Sequence, residues 1–255
     1  MKRVRFLLML TLAGISVTSS AIAQKQFKAL IVTTTNGWHH ESLHAGVIAL
    51  KEMATRNYFD AVLMEDPNSF TIKNLEQYHV IIFLNTSGDI FNLEQQKVLE
   101  QFIQSGKGFV GIHSASDTEY DWEWYTKLVG RMFHIHPVVQ TGKLQVLDTT
   151  FPGLQGFSQG KLWTEEWYEF SEEKVKDLHY VLAVDESTYN PKVSWPQRNI
   201  KGEGMGKIHP VAWYHNFDGG RSFYTALGHL PTNFSNEAFL SHLYAGILWA
   251  ATGKK

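Results

Sequence analysis

The chain has 255 residues, with 23 basic and 25 acidic side chains, a net charge of −2, eight tryptophans, twelve histidines and no cysteine. Its interspersed charges give no basic stripe for nucleic acid and no acidic tail. Without a thiol there is no disulfide, no lipidated cysteine, no thiolate metal site and no cysteine nucleophile, so catalytic or metal chemistry falls to His, Asp, Glu, Tyr, Ser or Thr.

At the N-terminus, Lys2, Arg3 and Arg5 precede an apolar run from Phe6 to Val17 and the small-residue pattern Ala21-Ile22-Ala23. This is the layout of a secretory signal peptide, and cleavage is expected after Ala23. The apolar run is shorter than the roughly 20 residues that cross a bilayer, so the mature chain 24–255 is expected to be exported, periplasmic or extracellular, without a membrane span. Its length of about 230 residues suits one α/β domain.

From there the periodicity alternates. Phe27 to Thr35 reads as a strand, and Ser42 to Arg56 as a helix with Leu43, Val47, Leu50 and Met53 at spacings of three and four. Phe59 to Met64 is a second strand, TIKNLEQY a short helix, and His79 to Asn85 a third strand, apolar throughout as when both faces are covered. NLEQQKVLEQFIQSG is a helix with Gly106 to close it, and the fourth strand ends at His113. Alternating strand and helix imply parallel strands with right-handed crossovers, a doubly wound, mostly parallel sheet in a single domain. Beyond Arg131 the pattern loosens, with strands expected at 138–146, 180–185, 211–215 and 222–227 and a final helix at 236–251. The Gly- and Pro-marked stretch 187–209 reads either as a lid or as a surface loop.

Ligands of open parallel sheets bind beyond the carboxyl ends of the strands. Three such ends are polar here: Trp38, His39, His40 and Glu41 after the first strand; Asn85, Thr86, Ser87 and Asp89 after the third; His113, Ser114, Ser116 and Asp117 after the fourth. His113 either belongs to that site or caps the following helix. Neighbours His39 and His40 point to opposite sides of an extended chain, so at most one faces the pocket, and His40 is preferred. His134 and His136, two apart, share one face if extended and could ligate one metal together; the alternative is one solvated and one structural imidazole. Glu166 stands among aromatics in EEWYEF, where desolvation would raise its pKa as an acid or base requires; an ordinary surface glutamate is the alternative. His209 and His229 also lie near apolar strands. GKGFVG enters a strand instead of opening a helix, so it is no dinucleotide fingerprint.

The run from FLNTSGD through GKGFVGIHSASDTEYDW to FHIHPVVQ, followed in order by EEWYEF, VLAVDESTY, HPVAW and GGRSFYTALGH, resembles the trehalose-utilisation family of ThuA-like domains over Phe27 to Thr252. That resemblance implies a flavodoxin-like fold related to class I glutamine amidotransferases, whose strand-to-helix turn carries a cysteine. His113 stands at that turn, which excludes thiol-based glutamine hydrolysis. Two departures are visible: Ile208 precedes His209 and Pro210 where an acidic residue is expected, and Glu165 stands where relatives tend to have Asp.

The resemblance also implies a carbohydrate ligand, in association with oxidoreductases that make 3-keto sugars. The expected function is therefore an exported enzyme on sugars or 3-keto derivatives, of lyase, isomerase or hydrolase type, with His113, Glu166 and Asp117 as catalytic candidates. Trp38, Trp122, Tyr168 and Trp213 are candidate sugar platforms, and His40, Asn85, Ser87, Gln140, His209 and His229 candidate contacts. A divalent ion such as Zn, Ni, Mn or Fe would find ligands among His40, His113, His136 and His229. The alternative is a noncatalytic carbohydrate-binding protein, distinguished by whether paired imidazoles and a buried carboxylate converge on one position.

Overall fold

The computed structural model describes residues 24–255; the leader-like segment 1–23 lies outside the described residues. In chain order the elements are β1 (Lys28–Val32), α1 (Leu43–Arg56), β2 (Asp60–Leu63), α2 (Ile72–Leu75), β3 (Val80–Leu84), α3 (Leu93–Gln104), β4 (Gly108–Ile112), α4 (Glu123–Val129), β5 (Phe133–Ile135), β6 (Gln140–Val146), β7 (Leu162–Glu165) and β8 (Glu169–Phe170). There follow β9 (His179–Asp185), β10 (Val193–Trp195), β11 (Ile200–Gly202), β12 (His209–Phe217), β13 (Gly220–Thr225) and α5 (Glu237–Thr252).

Nine strands form one sheet in the order β2-β1-β3-β4-β13-β12-β9-β6-β7. From β2 to β13 the neighbours pair in parallel. From β13 to β7 the sheet continues antiparallel. The first half is the expected doubly wound sheet, and β3 and β4 are buried at every position, which is why they read as unbroken apolar runs. α3 is fixed at its start by a reciprocal capping box between Asn92 and Gln95 and is followed by Gly106 at φ 87°. α5 lies so close to β4 that a Cβ at Gly108 would stand 2.2 Å from the Ala250 carbonyl oxygen, so only glycine fits.

Several elements differ from the sequence reading. β1 stops at Val32, short of Thr35, because the chain leaves the sheet and makes a single bridge from Thr35 to Ser87. The 187–209 stretch, read as a lid or a surface loop, contains the hairpin β10–β11. β5 and β8 pair in a second small ribbon.

Candidate functional site

The strand ends set the geometry. Leu84, Ile112 and Thr225 are register partners across β3, β4 and β13, so Asn85, His113 and Ala226 leave the sheet side by side. Asn85 and His113 both adopt left-handed backbone, at φ 49° and 50°. Such a residue costs about 1–3 kcal/mol and persists only where its surroundings over-determine it. At His113 those surroundings are visible: Tyr224 donates its hydroxyl to the His113 carbonyl at 2.6 Å, and His113 Nδ1 donates to the Ala226 carbonyl at 2.8 Å. A carbonyl can only accept, so Nδ1 carries a proton, and Nε2 is the ring atom turned toward the other side chains.

Around that nitrogen three other side chains converge. Glu166 Oε2 is 3.4 Å from His113 Nε2 and 3.2 Å from His229 Nδ1, and the two imidazole nitrogens are 3.3 Å apart. His40 completes the group, with one donor atom from each of the four within 4.8 Å of all the others. His40 Nδ1 faces Ser114 Oγ at 3.2 Å, and its Nε2 faces the Tyr168 hydroxyl at 3.5 Å. Tyr168 also places that hydroxyl 2.9 Å from His113 Nε2 and stacks its ring on His113. The 3.2–3.4 Å triangle has the edges of a tetrahedral face whose bonds would be about 2.0 Å, the range for zinc with nitrogen and carboxylate ligands.

Electrostatics divides the imidazoles. Burial, reinforced by the adjacent His113, pulls His40 from 6.5 down to about 2, so it is neutral at physiological pH. Burial also lowers His136, against the pull of Glu166. His229 is raised: burial opposes its charge, but the hydrogen bond and the charge of Glu166 outweigh it. Burial alone would raise Glu166; hydrogen bonds from His113 and His229 hold it well below the usual carboxylate range. Tyr168 is pushed far above its ordinary value by burial and remains a phenol.

Above the cluster a cavity of about 700 Å³ opens to solvent. Trp38, Phe133, His136 and Trp195 wall it, with Gln197 and Arg198 at the rim. His136 directs Nδ1 at Glu166 Oε1 and at the Pro137 carbonyl, at 3.1 and 2.8 Å.

The sequence profile described as trehalose utilisation, ThuA, matches residues 28–250. The chain belongs to the ThuA family. Among solved structures, a ThuA-like protein from Bacteroides uniformis superimposes with a TM-score of 0.72 at 22% identity, covering 95% of this chain and 97% of that one. A ThuA-like protein from Parabacteroides merdae gives 0.65 at 18% identity, covering 90% and 91%. A β-galactosidase from Bacillus circulans gives 0.52 at 16% identity, covering 89% of this chain but 31% of that one. At these identities the likeness concerns the fold. Comparison with curated proteins gives no match. The family description points to a carbohydrate-related role for this ThuA chain.

Of the residues singled out in the ThuA sequence, His40, His113, Glu166 and His229 meet in the cluster, with Tyr168 against them and Trp38 and His136 on the cavity wall. Others lie elsewhere. Trp213 is fully buried, donates to the Val129 carbonyl and stacks on Tyr224, so it offers no face to a sugar. Trp122 stacks on Trp124 and points Nε1 at Glu100, away from the cavity. Gln140 staples Asn190 through both ends of its amide. Asn85 is buried against Ser42, and Ser87 donates to the Trp38 carbonyl, so both support the loop that carries His40. Asp117 accepts from Tyr120, and burial raises its carboxyl; it lies outside the cluster. His134 is exposed against the Lys201 carbonyl and does not join His136, because β5 ends at Ile135 and the chain changes direction.

His209 is a support, not a wall. Its Nδ1 faces Glu186 Oε1 at 2.8 Å, and its Nε2 donates to the Tyr168 carbonyl at 2.8 Å. Glu186 thus supplies the carboxylate that Ile208 does not, from a different segment. Sequence reasoning missed Phe133, Trp195, Gln197 and Arg198, which reach the cavity through short strands and a turn; SWPQR in the 187–209 stretch was the available signal. It also gave Glu165 no role. That carboxylate is fully buried and accepts from the backbone N–H of Glu166, Gly228 and His229 and from Asn233 Nδ2. It ties together the two segments that carry Glu166 and His229.

Proposed function

We propose that this ThuA chain is an exported, metal-dependent enzyme that acts on sugars or their 3-keto derivatives by lyase, isomerase or hydrolase chemistry. The observation that carries the reading is the triangle of His113 Nε2, Glu166 Oε2 and His229 Nδ1, three potential ligand atoms 3.2–3.4 Å apart beneath an aromatic cavity. His113, Glu166 and His229 would hold the ion, with His40 as a fourth ligand. A divalent ion bound there, of the Zn, Ni, Mn or Fe type that suits imidazole and carboxylate, would supply Lewis-acid polarisation of a sugar oxygen.

The remaining groups have definite tasks. His136, neutral and with Nδ1 committed to acceptors, keeps its Nε2 lone pair free to take a proton from the carbon beside a 3-keto group. The C–H pair moves onto the keto oxygen, where the Tyr168 O–H stabilises the developing charge by hydrogen bonding. From the enediolate, the proton on His136 goes either to the former keto carbon, while the adjacent hydroxyl becomes the carbonyl and its proton passes to the former keto oxygen, an isomerisation, or to the departing oxygen of a glycosidic substituent as the keto group re-forms, a C=C bond forms and the C–O bond breaks, an elimination. Trp38 and Trp195 supply apolar faces for the sugar rings. Convergence of paired imidazoles and a buried carboxylate supports an enzyme over a binding module.

The test is a screen of protein purified without a His-tag against glycosides and their 3-keto forms, with and without added divalent metal. About one equivalent of metal and metal-dependent turnover support the reading. Less than a tenth of an equivalent overturns the metal, and sugar binding without turnover reassigns the chain as a binding protein. Export rests on the segment 1–23; a mature N-terminus at Gln24 supports it, and a cytosolic chain beginning at Met1 overturns it.

A further inference from the structure

Of the charged groups around the cavity, Glu166 is answered three times over, by His113, His136 and His229 at 3.4, 3.1 and 3.2 Å. Arg198 is the one cationic side chain of fixed charge among the lining residues, and no carboxylate of the described residues lies within 4 Å of it. Its charge pulls down the Asp117 carboxyl, which burial raises, but that carboxyl is hydrogen-bonded to Tyr120 instead. The guanidinium rests 5.4 Å above the Trp195 ring, and that ring meets His136 edge-on at 4.9 Å. Arg198 is therefore a fixed cation of the cavity lining that has no ion-pair partner among the described residues.

The position of Arg198 is built, not incidental to a mobile loop. It lies in the turn of the β10–β11 hairpin, between Pro196, which fixes its own φ, and Asn199, which takes the left-handed conformation at φ 52° that Asn tolerates. The hairpin's exit is held by two carboxylates: Glu169 accepts from the Gly204 N–H, and Glu186 accepts from the Met205 and Gly206 N–H groups while paired with His209. Three consecutive backbone amides are thus anchored, one to Glu169 beside Tyr168 and two to Glu186, whose partner His209 donates to the Tyr168 carbonyl, and Arg198 leaves the turn of the hairpin so held.

We propose that the β10–β11 hairpin makes the cavity selective for an acidic carbohydrate, one whose carboxylate or phosphate pairs with Arg198 while the sugar ring lies against Trp195. The inference rests on the reading of the cavity as a sugar site. A planar guanidinium with a free edge accepts an oxyanion through two parallel N–H donors, and its stacking on an indole leaves that edge open. The volume of about 700 Å³ leaves room for a sugar extended from the imidazole cluster to the rim.

Three probes that differ at one carbon separate the cases: D-glucose, D-glucuronate and D-glucose 6-phosphate, titrated calorimetrically into the intact protein and into Arg198→Gln and Arg198→Lys. The acidic probes are expected to bind the unaltered chain roughly tenfold more tightly than glucose, the worth of one charge-assisted hydrogen bond. That advantage should shrink on adding 0.5 M salt, vanish in Arg198→Gln and survive in part in Arg198→Lys. Either order of the two acidic probes supports the inference, a tighter phosphate naming phosphate as the group and a tighter glucuronate naming carboxylate. Equal binding of all three overturns it and leaves the sugar site standing, and so does an acidic preference that persists in Arg198→Gln, which would locate the anion at the imidazole cluster. Failure of every probe to bind overturns both readings.

Discussion

His113 is held in left-handed backbone by contacts on its ring and on its carbonyl, so the orientation of Nε2 follows from the strand end itself. Asn tolerates the same backbone but brings no imidazole nitrogen to the cluster. His113→Asn is expected to fold, to retain well under half an equivalent of metal, and to lose turnover by roughly 10² or more; unchanged metal content and rate would remove His113 from the centre. The proton inventory gives a second expectation. His40 is already neutral at pH 7, whereas Glu166 raises His229, so zinc competes with protons at His229 and not at His40. Titration of Zn²⁺ in buffers of different ionisation enthalpy near pH 7 should show proton release, and affinity should fall on acidification; a proton-neutral association would contradict this. His40, His113, Glu166 and His229 were legible because each stands beside an apolar strand end or among aromatics. Trp122 and Trp213 were misread because a tryptophan in sequence does not say whether its face meets a sugar or another ring.

At the scale of elements, the turn after β7 and the turn after β13 are joined through Glu165. Replacing it with Gln keeps the shape but sets an NH₂ against backbone N–H donors, leaving buried groups unpaired at about 1–3 kcal/mol. Glu165→Gln should therefore lower Tm and weaken metal binding together, and Glu165→Asp should restore part of both; a variant that loses stability while binding metal with full affinity would show that the tie does not position the site. Packing of α5 on β4 gives a cleaner stability test. Gly108→Ala would force its Cβ onto the Ala250 carbonyl, and the helix must shift; a loss of more than about 2 kcal/mol in denaturant unfolding is expected, and a neutral result would refute the close approach. The regular elements of the parallel half could be read from periodicity because β3 and β4 are covered on both faces. The pairs β5–β8 and β10–β11 could not, since two or three residues carry no period and their pairing is decided by the ribbon and anchors around them.

Over the whole molecule, acid stability depends on how many imidazoles must stay uncharged. His40, His136, His215 and His242 all lie below 6.5 when folded, chiefly through burial, and His229 is raised. For the four, the unfolded chain binds protons that the folded chain refuses, so their contribution is present above 6.5 and is lost as pH falls below it, down to about 2 for His40 and about 3 for His242. His229 works oppositely, contributing below 6.5 and losing that contribution as pH rises through its raised value. Asp117 and Glu165, raised by burial, also oppose the four, but fewer groups are involved. Tm should therefore drop between pH 7 and pH 5, with a shallower slope in His242→Gln; a flat profile would contradict the count. The sheet carries a further consequence. His40 follows β1, His113 follows β4, Glu166 follows β7 and His229 follows β13, so the centre does not exist until the last strand has paired with the middle of the sheet. If the cluster holds an ion as proposed, a chain whose β13 has not docked has no place for it, and loading would follow folding. An ion held there would then be drawn from the supply of the compartment in which β13 docks, so folding the same chain in media of different metal content would change the bound ion without altering a single ligand.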